Sequence, residues 1–225
     1  MEDDEFYIDY GKLDMLQRQY VDKKVNKSMV ICGAAGSGKS VIALHKAKQV
    51  SALGSYAIVI YTKTLEKYFD NGLQKLGLTN VYHYHKWNGQ KVKYLIVDEC
   101  QDFSKEEIEE LKESAEICFF FGDTAQSIMN FRTDKETGER IKLQSVQDTA
   151  LSMNVTMLPL QKNYRLTKQI AEVAEKVGKV EDLVDDCVRE GEKPEAIEKQ
   201  SIDEQLDEII RLKKNNSLSS VGILL

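Results

Sequence analysis

Met29-Val30-Ile31-Cys32 runs directly into Gly33-Ala34-Ala35-Gly36-Ser37-Gly38-Lys39-Ser40, after which Val41 to Val50 carry apolar residues at helical spacing. An apolar run, a glycine-rich turn and an amphipathic stretch in that order satisfy the G-x-x-x-x-G-K-[ST] pattern in the strand, turn and helix setting that it needs. The glycines let backbone N–H groups turn inward, and the start of the following helix adds its positive end. This loop is therefore the expected phosphate cradle, with Lys39 reaching the β and γ oxygens and Ser40 ligating Mg²⁺.

The same alternation continues outward. Ala57-Ile58-Val59-Ile60-Tyr61 reads as a second strand, an amphipathic stretch spans Leu65 to Leu76, and Tyr94 to Val97 and Ile117 to Phe121 are further apolar runs. Ser104 and Glu107 make an S-x-x-E capping box that opens a helix over Ser104 to Ser114. Runs that are apolar without alternation belong to a parallel sheet covered on both faces, with right-handed crossovers. The expected fold class is α/β, a doubly wound parallel sheet with helices on both faces. Thr133 to Gln147 is polar and reads as a surface loop. Beyond Met157 the pattern predicts helices over Thr167 to Val177 and Glu181 to Arg189, and a turn at Gly191 to Pro194. A short strand near Ala196, a helix over Ile202 to Lys213 and a strand over Val221 to Leu225 follow. Ending on an apolar strand, the chain reads as the front part of a longer protein, cut within a second α/β domain.

With 225 residues, 42% hydrophobic and 30% charged, the chain can bury a sizeable core, which excludes disorder as its main state. Its acidic start, Met1-Glu2-Asp3-Asp4-Glu5, is unlike a signal peptide, and its apolar runs are only strand-length, so a cytoplasmic protein without membrane partners is expected. Cys32, Cys100, Cys118 and Cys187 form no C-x-x-C pair, which argues against a disulfide framework or a zinc site. The formal charge is −6, yet Glu181 to Glu208 hold twelve acids against three bases, about −9, leaving about +3 elsewhere. Nucleic-acid contact by the remainder is compatible with that balance.

Leu95-Ile96-Val97-Asp98-Glu99 places two carboxylates at the end of a buried strand, where the carboxyl edge of a parallel sheet opens onto a ligand crevice. Asp98 is expected to hold Mg²⁺, directly or through water, and Glu99 to orient or deprotonate an attacking water.

Asp98-Glu99-Cys100-Gln101-Asp102, then Gly122-Asp123-Thr124-Ala125-Gln126-Ser127-Ile128, then Asn163-Tyr164-Arg165 resemble the D-E-x-Q-D, G-D-x-x-Q-S-I and N-Y-R motifs of superfamily 1 helicases of the UvrD/Rep-like kind, in the family's order. Leu13 to Arg18 resembles the same family's Q motif. The resemblance implies ATP as the nucleotide and a RecA-like ATP-binding domain over residues 1–158. Residues 159–225 would then be the opening portion of a second RecA-like domain. It also implies that Gln17 reads adenine, Tyr164 stacks on it, Gln126 senses the γ-phosphate, and Arg165 acts as an arginine finger. Lys39, Glu99, Gln126 and Arg165 are thus the catalytic candidates.

The family's nucleic-acid contacts fall on Thr62 and Thr64, on His85 and Trp87, and on Phe131, where the family often has a base-stacking Trp. For His85, Trp87 and Phe131, packing roles are equally open. Single-stranded nucleic acid, DNA before RNA, is the implied track, with a protein partner or further C-terminal domains also in view. Three departures bear on this: Val41 stands where some members have Arg, Met129 where many have Tyr, and only about thirty residues separate Thr64 from Asp98, too few for the large inserted subdomain of many UvrD/Rep-like enzymes. The expected function is an ATP-dependent helicase or translocase motor core. The alternative is an ATP-dependent switch that gates a partner protein or nuclease without unwinding.

Overall fold

A computed structural model of the chain describes residues 7–61, 72–124, 131–133, 137–178, 182–219 and 221–223. The elements that build the core are α1 (Met15–Asp22), β1 (Met29–Gly33), α2 (Lys39–Ser51), β2 (Tyr56–Ile60), β3 (Val81–His83), β4 (Val92–Val97), α3 (Lys105–Glu113) and β5 (Ala115–Gly122). After them come β6 (Phe131–Thr133), β7 (Arg140–Lys142), α4 (Val146–Ser152), β8 (Met157–Leu160), β9 (Asn163–Thr167) and α5 (Lys168–Gly178). The described chain closes with α6 (Leu183–Asp186), β10 (Cys187–Arg189) and α7 (Ile202–Asn215).

Six strands form one parallel sheet in the order β3-β2-β4-β5-β1-β8. Its strands are apolar on both sides because successive residues point to opposite faces and each face is roofed by helices. Ile31, Ile58, Ile96 and Phe119 point to the face covered by α1 and α2; Val30, Val59, Val97 and Phe120 point to the face covered by α3 and α4. The doubly wound α/β class is therefore as the sequence indicates. β8 carries Pro159 in an edge position, where a residue without an N–H leaves no gap in the ladder. The order brings the ends of β1, β4 and β5 side by side, and the phosphate loop leaves from β1.

α3 begins as expected: the Ser104 hydroxyl accepts from the Glu107 N–H and the Glu107 carboxylate accepts from the Ser104 N–H. Elsewhere the structure corrects the expectations. Thr133 to Gln147 is not simply a loop, since β6 and β7 pair antiparallel within that region and α4 starts at Val146. The hairpin is held by Arg132, whose guanidinium ion-pairs with Glu107 and donates to the Asp102 carbonyl 2.8 Å away; periodicity carries no trace of such an anchor. The helix expected over Glu181 to Arg189 is one turn, α6, followed by β10, which pairs parallel with β9. Neither residues 190–200 nor residues 221–223 contain a strand, and β3 was not foreseen. Short apolar segments become strands only where a neighbouring edge receives them, as β2 receives β3. Of the helix expected over Leu65 to Leu76, residues 72–76 are described and helical.

Candidate functional site

The phosphate loop is built from glycines in conformations that other residues avoid. Gly36 and Gly38 have φ of +88° and +89°, and a Cβ on Gly36 would stand 2.6 Å from Asn163 Oδ1 and 2.7 Å from Arg165 Cβ. The loop's neighbours lie this close because no side chain intervenes. Lys39 opens α2 and is buried; its Nζ donates to the carbonyls of Gly33 (2.8 Å) and Ala34 (3.1 Å) and lies 4.0 Å from Asp123 Oδ2. Asp123, at the end of β5, therefore joins the site. The Ser37 hydroxyl is buried without a hydrogen-bond partner among the described residues.

Asp98, at the end of β4, is fully buried, and neither of its carboxylate oxygens has a hydrogen-bond partner among the described residues. Burial first, and then the adjacent Glu99 carboxylate, push its pKa up; the Ser40 hydroxyl, near but outside hydrogen-bonding geometry, and Lys39 oppose the rise. A buried acid with two idle oxygens beside a hydroxyl fits a hard divalent cation. Among the described residues there is no cluster of three or more His, Cys, Asp or Glu that could hold a metal ion.

Glu99 takes a left-handed backbone, φ +53°, between β4 and the short turn at Cys100–Asp102. Such strain in a non-glycine residue collects at functional positions. Its Oε2 accepts from Gln101 Nε2 at 2.8 Å, while Gln101 Oε1 accepts from the Asp123 N–H at 2.9 Å. Gln101 is buried and ties the acid pair to the end of β5, a role that its motif position could have suggested. Asp102 also feels the crowding: burial and Glu99 raise its pKa to about 6, against the pull of Arg132.

A cavity of about 140 Å³ lies beside the loop, lined by Gln17, Ser37, Leu160, Lys162 and Tyr164 among others. Gln17 is more occupied than a free base-reading amide would be. Its Oε1 accepts from the Asp14 N–H (3.1 Å) to complete the cap of α1, and its Nε2 donates to the Ser37 carbonyl (3.1 Å). One N–H and one lone pair remain for a ligand. The Tyr164 hydroxyl donates to Asp14, and burial followed by that carboxylate raises its pKa. For Asp14, burial works upward, but the Gln17 N–H, Tyr164 and Lys162 outweigh it and hold the carboxyl below its usual range. Arg165 is exposed and emerges beside Gly36.

His85, Trp87 and Phe131, the described nucleic-acid candidates, are not among the residues that line this cavity. His85 is exposed, with its ring 5.7 Å from Tyr61 and 5.6 Å from Tyr84. Trp87 stands edge-on to Tyr82 at 5.0 Å, with its indole N–H buried and unpartnered among the described residues, the environment of a packing residue. Phe131 is 45% exposed on β6, with the Arg140 guanidinium 4.7 Å above its ring. Gln126, Thr62 and Thr64 lie outside the described residues.

Residues 29–200 match the family described as the viral superfamily 1 RNA helicase core domain. Among solved structures, the chain is similar to the PRRSV helicase, with a TM-score of 0.50, 14% identity, and coverage of 82% of this chain and 40% of that one. It is also similar to the Pif1 helicase from Candida albicans, with a TM-score of 0.48, 16% identity, and coverage of 95% and 58%. The chain thus spans about two fifths to three fifths of the length of these helicases. At such identities the first likeness speaks for the fold alone. No curated protein matches the sequence.

Proposed function

Because this chain belongs to the family of the viral superfamily 1 RNA helicase core domain, we propose that it is an ATP-binding and ATP-hydrolysing motor core that moves on single-stranded nucleic acid. The observation that carries this reading is Asp98, a buried carboxylate whose oxygens have no hydrogen-bond partner among the described residues, at the strand end beside the Lys39 and Ser40 loop. A group so costly to bury is kept where a cation or a reaction needs it.

In this reading Gln17 and Tyr164 hold the adenine, and the loop from Gly33 to Ser40 holds the phosphates. Ser40 and Asp98 would hold Mg²⁺, which would supply positive charge to the phosphate oxygens. Lys39 exchanges its two loop carbonyls for phosphate oxygens, and Glu99, steadied by Gln101, orients the attacking water. Arg165 and Gln126 stabilise charge on the transferred phosphoryl group. The ATP-binding unit expected over residues 1–158 extends through β8 (Met157–Leu160), which pairs with β1, and the chain beyond it would begin a second RecA-like domain. Cleft closure between such units would convert each nucleotide cycle into a step along the strand. Phe131, whose exposed ring is shared with Arg140, is the leading base-stacking candidate, followed by His85, Thr62 and Thr64; the buried indole N–H of Trp87 speaks for packing there. The UvrD/Rep-like affiliation and the preference for DNA rest on the motif resemblance. A cytosolic location is supported by four buried cysteines, all free thiols; no described helix is long and apolar enough to cross a membrane.

The second reading, an ATP-dependent switch that gates a partner, is favoured by the short interval of about thirty residues between Thr64 and Asp98. Steady-state ATP hydrolysis with and without single-stranded DNA and RNA separates the two, with Glu99→Gln as the blank. Stimulation by one strand type supports the motor and identifies its track. A rate indifferent to both supports the switch, and hydrolysis undiminished in Glu99→Gln would overturn the assignment.

A further inference from the structure

The strand that follows the main sheet touches the phosphate loop from outside. Asn163 is 4% exposed and opens β9, and its side chain bonds through both ends: Nδ2 donates to the Ala35 carbonyl at 3.0 Å, while Oδ1 accepts from the N–H groups of Arg165 (2.9 Å) and Leu166 (3.0 Å). The next residue adds a backbone bond, from the Tyr164 N–H to the Gly36 carbonyl at 2.9 Å. Two consecutive carbonyls of the loop are therefore held on the side facing β9. Gly36 must be a glycine for this approach, as the 2.6 Å separation between its virtual Cβ and Asn163 Oδ1 requires.

A trans peptide is rigid and points its C=O and N–H in opposite directions. Holding the Ala35 carbonyl toward β9 turns the Gly36 N–H to the opposite side of the loop, and no peptide here is cis. The Ser37 N–H is spoken for by the Ala34 carbonyl at 3.1 Å, so the Gly36 N–H is a donor whose direction depends on Asn163. The same side chain, by accepting from the backbone of Arg165 and Leu166, sets the path of Arg165 past the loop. We propose that Asn163 is a positioning residue that organises the phosphate loop from outside, aiming the Gly36 N–H at the bound phosphates and Arg165 along the same site. This rests on the reading of the loop as a nucleotide site and adds to it a residue that touches neither nucleotide nor metal.

Asn163→Asp isolates the effect. The carboxylate can still accept from Arg165 and Leu166 but cannot donate, and it sets a charge against the Ala35 carbonyl. The test is titration of the full chain with a fluorescent methylanthraniloyl-ADP in Mg²⁺, displaced by pyrophosphate or by adenosine, alongside thermal unfolding. Expected in Asn163→Asp is at least a tenfold loss of affinity for the labelled ADP and for pyrophosphate. Displacement by adenosine should change less than twofold and the melting temperature by no more than a few degrees. Asn163→Ser, smaller and uncharged, is expected to lie between the variant and the wild type, and it replaces Asn163→Asp if that protein does not fold. Unchanged pyrophosphate affinity in a folded variant overturns the proposal. So does an equal loss of pyrophosphate and adenosine with a lowered melting temperature, which would make Asn163 a purely structural residue. Failure of the wild type to bind any nucleotide would overturn the nucleotide reading itself, and is seen before any variant is made.

Discussion

Raising the pH should strengthen this protein through Lys46, and replacing Lys46 by Met should remove that part of the response. Lys46 lies on α2, the helix that the phosphate loop opens, and is 0% exposed. Its Nζ donates to the Lys23 carbonyl, at the end of α1, and to Gln49 Oε1, and sits 5.8 Å from the centre of the Phe119 ring. Burial first, with Lys23 adding and Asp22 opposing, lowers its pKa from 10.5 to about 8. A base whose folded value lies below its unfolded one loses its proton earlier in the folded state, so stability rises with pH between about 8 and about 10.5 and is lowest below that window. The gap corresponds to about 3 kcal/mol as a ceiling, of which the interval from pH 7 to pH 10 covers about 2 kcal/mol. The assay is urea unfolding of wild type and Lys46→Met at pH 7 and pH 10, read as the difference between the two proteins at each pH so that other titrations cancel. The wild type should gain about 2 kcal/mol on the variant over that interval. Parallel pH profiles, or a wild type that loses ground as the pH rises, would mean that Asp22 compensates the Lys46 charge and that burial does not dominate.

Gly36→Ala should break the loop more severely than Asn163→Asp: a left-handed backbone costs about 1–2 kcal/mol and displacing two hydrogen bonds about 1 kcal/mol each, so labelled-ADP affinity should fall by roughly a few hundredfold. Asp98→Asn should bind nucleotide with little response to Mg²⁺, and chelation that abolishes wild-type hydrolysis should leave nothing more to lose in the variant; calorimetric titration with and without Mg²⁺ measures this, and an undiminished Mg²⁺ response would remove Asp98 from the metal site. Arg132→Ala should free the β6–β7 hairpin by removing its pairing with Glu107 and its stacking 5.0 Å over Tyr61, at a cost of about 1–3 kcal/mol and with faster proteolysis between Thr133 and Arg140. An unchanged digestion pattern would show that the hairpin stands without this anchor.

The phosphate loop, the acid pair after β4 and the capped start of α3 were legible because each is written in neighbouring residues: glycine placement, an apolar run and an S-x-x-E spacing act over one strand or one helical turn. The α/β class followed for the same reason, since strands buried on both faces must be apolar throughout. The motif position singles out Gln17 as a candidate, but its bond to the Ser37 carbonyl is not written there, and that bond changes what its amide has left to offer.

Only the tertiary structure could join Asn163 to Ala35 across 128 residues, or make Arg132 the anchor of a hairpin that reads as loop. Those contacts depend on strand order, which sets β8 beside β1 and so delivers β9 to the loop. Two strands distant in the chain become neighbours when their apolar faces are buried together, a property of the assembled sheet that no local spacing records. The burial of Asp98 belongs to the same class: the sequence names a carboxylate at a strand end, while its burial with no hydrogen-bond partner among the described residues is decided by the helices and strands that close around it.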